Sequence, residues 1–596
     1  MDFFNDFNNH QVAKLPKHLK QFIVPQNYEK YTPVDQAVWR YVMRQNYSYL
    51  KSVAYYPYIK GLQKAGLTIE RIPDLQTMND HLGKLGWGAV TVDGFIPPAA
   101  FMEYQAYKVL VIAADIRKLE HIEYTPAPDI IHESAGHAPI IADEGYNSYL
   151  SYFGSIGAKA MFSSKDFELY QAIRKLSILK EDIDSTETEI ATAERTLRNI
   201  SENMGEPSEM ALLSRLHWWT VEYGLIGTSS NPKIYGAGLL SSIGESATCM
   251  QPNIEKLAYS IDTLNYGYDI TKQQPQLFVT PNFQNLINVL EEFADTMAFR
   301  RGGMESIVKA INSKNVATAV YSSGLQVSGV FTDIGLDSKD NVTFIKTSGN
   351  TALSVDDKEL ISHGKINHQD GFSSPVGKLK NYATALENFN DGQLTSAGIF
   401  SKNKTELNFE GGISVSGVVK SLLKKDAKLR LITFEECTVT EGNGNVLFKP
   451  EWGFYDMAIG EKIVSVFNGA ADKDRFEDVE LAAPSPYVQP VYNDKTNKLH
   501  QLYKKVRATR EQQGDLDALE EVFETLRTEY RTDWLCALEI LELVYHKKSH
   551  HGLERIVLAY LEVKASSDFS CNKLISDGLY VIKNPVNEQS TSKAEH

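Results

Sequence analysis

Hydrophobic and polar positions divide the chain into three stretches. From Val34 to Ala65, "VDQAVWRYVMRQNYSYLKSVAYYPYIKGLQKA", apolar residues recur at helical intervals, and such patterns continue to about residue 310 with few strand-like alternations. Past residue 316 come short β-branched runs broken by Gly, Asn and Asp, among them "TAVYSSGLQVSGVFTDIG", "NVTFIKTSG", "GGISVSGVVKSLL" and "KLRLITFEECTVTEGNGNVLF". These predict an antiparallel β domain. "LAAPSPYVQPVYND" then reads as a proline-marked linker. Beyond it "DLDALEEVFETLRTEYRTDWLCALEILELVYHKK" returns to helical spacing, and "NEQSTSKAEH" reads as a frayed tail. The expected organisation is a mainly α domain over 1–310, a β-rich domain over 311–484 and a C-terminal helical domain over 485–596.

One segment has its own period. Leu169, Leu176, Ile183, Ile190 and Leu197 recur every seven residues, and Ala172, Leu179, Thr186, Ala193 and Ile200 fall three after each. Charged residues such as Lys180, Glu181, Glu187 and Glu194 lie between them, so the spacing predicts a helical heptad insertion over 165–203. Two readings stay open: an amphipathic helix packed on its own domain, or an arm through which two copies form a homodimer.

The bulk numbers narrow the classes. With 596 residues the chain exceeds one hydrophobic core, and 42% hydrophobic and 23% charged residues are ordinary for a soluble protein. A net charge of −15 disfavours nucleic acid and anionic membrane as partners. Cys249, Cys437, Cys536 and Cys571 form no CxxC pair, which fits a reducing compartment rather than a disulfide framework or thiolate zinc site. "MDFFNDFNNHQ" has no secretory character and no apolar run reaches membrane-spanning length, so the expectation is a cytoplasmic protein.

The chemistry concentrates in "TPAPDIIHESAGHAPI", residues 125–140. His132 and His137 are five apart, one more than in the zinc-protease HExxH helix. On an α-helix that spacing diverges by ~140°, so a shared metal requires a break, for which Gly136 and Pro139 are the candidates. A carboxylate must come from elsewhere. Glu222, inside the aromatic run "HWWTVEYGLIG", is costly to bury unless paired with a cation. Two histidines and one carboxylate with open positions form the ligand set of non-haem Fe(II) oxygenases. Other histidines carry less: His546, His550 and His551 sit beside Lys547 and Lys548 and read as a solvated basic turn.

This stretch resembles the metal motif of the pterin-dependent aromatic amino acid hydroxylases, approximately TPEPDxxHExxGHxP. "YTPVDQAVWRYV" resembles the opening of the bacterial phenylalanine hydroxylases, "GWGAVTVDGFIPPAAFMEY" their pterin-side segment and "IRKLEHIEYTPAPD" their substrate-side segment. "WWTVEYGL", "YGAGLLSSIGE" and "QPQLFV" follow in family order, so the resemblance covers roughly residues 30 to 305. It implies a mainly α catalytic domain of aromatic amino acid hydroxylase type, binding Fe(II) and a tetrahydropterin and using O₂ to hydroxylate an aromatic amino acid.

By the same resemblance His132, His137 and Glu222 are the metal ligands, and Arg117, Thr125, Gly238 and Ser241 bind the substrate. Gly94, Phe95, Ile96 and Phe101 contact the pterin, with Glu133, Trp218 and Tyr268 serving catalysis. Three positions and one spacing depart from the family pattern. Ala127 replaces a glutamate, His217 a tyrosine and Val111 a histidine, and about twice the family spacing separates His137 from Glu222. Trp218 is the type found in phenylalanine and tyrosine hydroxylases, and Ile270 is apolar where tyrosine hydroxylases place an acid, so phenylalanine is the expected substrate. The alternatives are the same chemistry on tyrosine or tryptophan, and a catalytically idle metal-binding assembly or regulatory protein.

Overall fold

The computed structural model describes residues 8–585 except 95, 124–128, 182–184, 270–272, 480, 482–489 and 513. Thr32 caps the first long helix, Pro33–Val53, through a capping box with Asp35, and Pro33 occupies its first turn. The buried side of this helix, including Val38, Trp39, Val42 and Leu50, enters a core shared with Trp87, Tyr149, Phe153 and Trp219.

Strands Gly88–Val92 and Val109–Ala113 pair in parallel and are buried along their whole length. They read as unbroken apolar runs because both faces are covered. The helix Pro98–Ala106 connects them. It packs tightly on helix Glu144–Gly157: a Cβ at Gly154 would lie 2.5 Å from the Met102 carbonyl oxygen. A four-stranded mixed sheet in the order Asn231–Ile234, Leu225–Thr228, Gln276–Thr280, Glu255–Ala258 completes this part. The helical reading of residues up to 310 thus passed over several strands. Each spans only four or five residues, too short for alternation to register.

The heptad segment is not one helix. Helices Ser164–Glu181 and Glu187–Glu202 pack on each other, and Thr186 with Glu189 forms a capping box that starts the second. The sequence "DIDST" between the helices is rich in Asp, Ser and Thr, which favour caps and turns over helix interiors. Ile183 of the heptad set lies outside the described residues. Ala172 and Ala193 are buried, while Phe167 and Ile178 stay 53% and 52% exposed.

From residue 316 all strand pairs are antiparallel. One sheet is built around Val316–Tyr321, Leu325–Leu336 and Val342–Val355, and closes at its edge with Ile463–Asn468. The other is built around Ile413–Lys425 and Lys428–Glu441.

The C-terminal helices, from Asp494–Gln512 to Asn572–Lys583, enter the same core as the first helix. The Tyr41 hydroxyl donates to the Leu574 carbonyl at 2.7 Å, and Arg40 reaches Glu539 at 2.9 Å. All four cysteines are buried and free. Among the described residues no helix is long and apolar enough to cross a membrane.

Candidate functional site

The segment Ile131–His137 is a π-helix. Its wider turn, bonded i→i+5, carries residues five apart toward one face, which an α-helix does not. The predicted break at Gly136 is therefore corrected: the turn widens instead of ending. Gly136 serves a different need, since a Cβ there would sit 2.5 Å from the Ala237 carbonyl oxygen of helix Ala237–Ser241. A second π-helical turn, Trp218–Glu222, delivers the carboxylate. His132 Nε2 lies 3.3 Å from Glu222 Oε2 and His137 Nε2 lies 3.3 Å from Glu222 Oε1.

These three residues can each offer a ligand atom, all within 4.8 Å of one another. Both ring nitrogens of His137 and Oε2 of Glu222 are buried with no hydrogen-bond partner. Leaving such groups unpaired away from water is costly, and a bound cation removes the cost. The protonation pattern suits one as well. Ser241 Oγ donates to the Ala237 carbonyl at 2.9 Å, so it accepts from His132 Nδ1–H at 3.0 Å. That leaves the His132 Nε2 lone pair facing Glu222. Burial opposes ionisation of Glu222; His137 and His132 as cations outweigh it and hold the carboxyl well below its ordinary range, a part that a bound metal would take over from them. Residues and protonation thus fit a divalent metal.

A cavity of about 350 Å³ opens beside this cluster. Gly94, Ile96, Phe101, Arg117, Trp218, Gly238, Ser241 and Tyr268 line it. His132, Glu133 and Glu222 also reach it, with His137 buried behind at 1% exposure. Phe95, Thr125, Ala127 and Ile270 lie outside the described residues. Trp218 is sandwiched between Tyr268, at 4.5 Å and 11°, and Tyr223, at 4.6 Å and 25°. Gly238 is glycine for close approach: a Cβ would meet Glu222 O and the Tyr223 ring at 3.0 Å each.

Arg117 is held in a two-pronged pair with Asp129, Nε to Oδ2 and Nη2 to Oδ1, both 2.8 Å. Asp129 also accepts the His132 backbone N–H at 3.0 Å, tying the guanidinium to the start of the metal turn. Burial would raise the Asp129 carboxyl, but Arg117 keeps it below its usual range. Burial pushes Glu133 up to about 8, helped by nearby Glu222 and opposed by His137. His217 is forced down to about 4, chiefly by burial. It packs edge-on against Phe101 with ring centroids 5.7 Å apart.

Sequence reasoning passed over Asp129, Tyr223 and Glu245. Asp129 was legible as the acid three residues before His132. Glu245 lines the cavity and accepts from the Tyr223 hydroxyl at 2.5 Å, a contact across 22 residues that no local pattern announces. The solvated reading of the other histidines is joined by surface pairs: His550 meets Asp517 at 2.9 Å and His551 meets Glu554 at 3.1 Å.

Comparison with known proteins reads the same region. A family model described as biopterin-dependent aromatic amino acid hydroxylase matches residues 10–183 and 193–304. The matched residues include both π-helical turns that carry His132, His137 and Glu222. The gap in the match, residues 184–192, overlaps the start of helix Glu187–Glu202. The phenylalanine-4-hydroxylase of Chromobacterium violaceum is 27% identical over 295 residues, 47% of this chain and 84% of that protein. The Pseudomonas aeruginosa phenylalanine-4-hydroxylase is 27% identical over 270 residues, 45% of this chain and 85% of that protein. A solved structure of the C. violaceum enzyme with iron(III) and 7,8-dihydrobiopterin shares 25% identity over 46% of this chain and 86% of that one, at a TM-score of 0.37.

Proposed function

We propose that this pterin-dependent monooxygenase hydroxylates the ring of phenylalanine to give tyrosine. The observation that carries the reading is the convergence of His132, His137 and Glu222, with both His137 nitrogens and Glu222 Oε2 unpaired, beside a cavity lined by aromatic side chains. His132, His137 and Glu222 would hold iron. Bound iron and tetrahydropterin would supply the two-electron reduction of O₂ that leaves one oxygen for the ring and one for the pterin.

The chain's own residues bind and orient. Gly94, Phe95, Ile96 and Phe101 are proposed to receive the pterin, with Glu133 beside it. Glu133, pushed up to about 8, holds its proton at neutral pH and can donate a hydrogen bond. Trp218, with its two faces covered by Tyr268 and Tyr223, would meet the substrate ring with its edge. Arg117 is aimed by Asp129 and its Nη1 also donates to the Ile122 carbonyl at 3.4 Å, so the second Nη1 N–H can meet a carboxylate without rotating, with Thr125, Gly238 and Ser241 proposed around it. Apolar walls keep water from the reacting atoms.

Protein reconstituted with Fe(II) and a tetrahydropterin should convert phenylalanine to tyrosine with oxygen uptake. Folded, iron-loaded protein that hydroxylates no aromatic amino acid would sink the proposal and leave a metal-binding, non-catalytic role. One observation favours a second substrate: the Glu245 carboxylate in the cavity could accept from a ring hydroxyl or an indole N–H. Tyrosine and tryptophan therefore belong in the same assay.

A further inference from the structure

The β-rich region lies outside the family match, yet it touches the wall assigned to the pterin. Helix Pro98–Ala106 presents Pro98, Phe101 and Met102 to the cavity. Glu103, next in the chain, does not line the cavity and meets two other segments. Its Oε2 accepts from Lys473 Nζ at 2.7 Å, and its Oε1 lies 3.0 Å from His18 Nε2. His18 in turn reaches Asp474 Oδ1 with Nδ1 at 2.8 Å and with its backbone N–H at 2.9 Å. Lys473 and Asp474 belong to the short helix Lys473–Phe476 that follows the last strand of the β-rich region.

Three of the four side chains are largely shielded from water, while Asp474 is 36% exposed. Side-chain exposure is 10% for His18, 14% for Glu103 and 17% for Lys473. Two carboxylates face an ammonium and an imidazole. Burial opposes the charge on His18, yet Glu103 and Asp474 raise its affinity for a proton; burial likewise opposes the charge on Glu103, which His18 and Lys473 restore. Such a network stays intact because removing one member strands the others in a poor dielectric.

A second contact runs the same way. Leu481, just past the β-rich region, packs on the small core of Val12, Leu15, Leu19, Val90 and Tyr104, against which Ile96 and Phe101 also rest. The Tyr104 hydroxyl further ties the helix to the Leu19 carbonyl at 2.5 Å.

We propose that Glu103 and Lys473 are positioning residues: through them the β-rich region grips helix Pro98–Ala106 from behind and sets where Phe101 stands in the cavity. The proposal rests on the pterin-side reading of that wall. It gives a part of the chain with no family counterpart a role in cofactor binding without any residue in the cavity. Because the grip acts on one wall, its loss should weaken pterin binding while sparing the metal and the amino acid.

The test uses the full chain. Lys473→Met should raise the Kd for 7,8-dihydropterin, read by fluorescence quenching, and the KM for tetrahydropterin about tenfold, equivalent to ~1.4 kcal/mol. The KM for phenylalanine and the affinity for iron should stay within about twofold, and Lys473→Arg, which keeps charge and reach, within about threefold of wild type. Hydrogen exchange of the amides over 98–106 should rise in Lys473→Met and not in Lys473→Arg. Equal dihydropterin affinity in wild type and Lys473→Met would overturn the proposal. So would parallel losses of iron, amino acid and pterin binding, which mark general unfolding. Wild-type protein that binds no dihydropterin would refute the pterin reading instead, and unchanged exchange over 98–106 would then refute the grip as well.

Discussion

The floor of the cavity and its two rims are built on different terms. The floor draws His132, His137 and Glu222 from two π-helical turns inside the family match, and its ligand atoms converge within 4.8 Å. The rims are reached by lysines from outside that match. Lys473 meets Glu103 where both side chains are under a fifth exposed, whereas Lys573 of the last helix meets Glu123 at 3.1 Å with 57% and 44% exposed. The same ion-pair chemistry should therefore act strongly at one rim and weakly at the other, because water screens the second pair.

The largest effect should come from the floor. Glu222→Ala leaves buried His137 and half-buried His132 without their carboxylate, and we expect turnover to vanish and iron to be absent by elemental analysis of folded protein; retained iron and turnover would break the assignment. Ser241→Ala should come next. It removes the acceptor that leaves His132 Nε2 free, and iron affinity should fall roughly 10- to 100-fold, measured by chelator competition. An unchanged affinity would mean His132 is held by other contacts. The pterin-selective loss in Lys473→Met ranks third.

Lys573→Ala should be the smallest, changing the KM for phenylalanine less than about twofold, since exposed pairs contribute roughly 0–1 kcal/mol. A tenfold change there would erase the contrast between the rims. Outside both regions, deleting residues 165–203 should leave turnover intact. If Phe167 and Ile178 join a second copy, light scattering of the deleted chain will give a halved mass; equal masses would exclude pairing through this segment.

The site was legible in unequal parts. His132 and His137 stood out by spacing, and Glu222 by the cost of a carboxylate among Trp218, Trp219 and Tyr223. How residues five apart share a face was not legible, because periodicity assumes the α turn and a π turn has no sequence period of its own. The heptad segment misled for a related reason: a repeat constrains which positions are apolar, not whether the helix continues through "DIDST".

By itself, and apart from any family resemblance, the sequence determined the helical, β-rich and helical order of the chain and picked out the two histidines and their carboxylate. These follow from local spacing and from the expense of burying charge. Only the tertiary structure decided that Ser241 sets the His132 tautomer, that Asp129 aims Arg117, and that Lys473 grips Glu103 from 370 positions away. Such partners are chosen by where the packed core brings surfaces together, and a pairing between distant residues leaves no periodic trace in the chain.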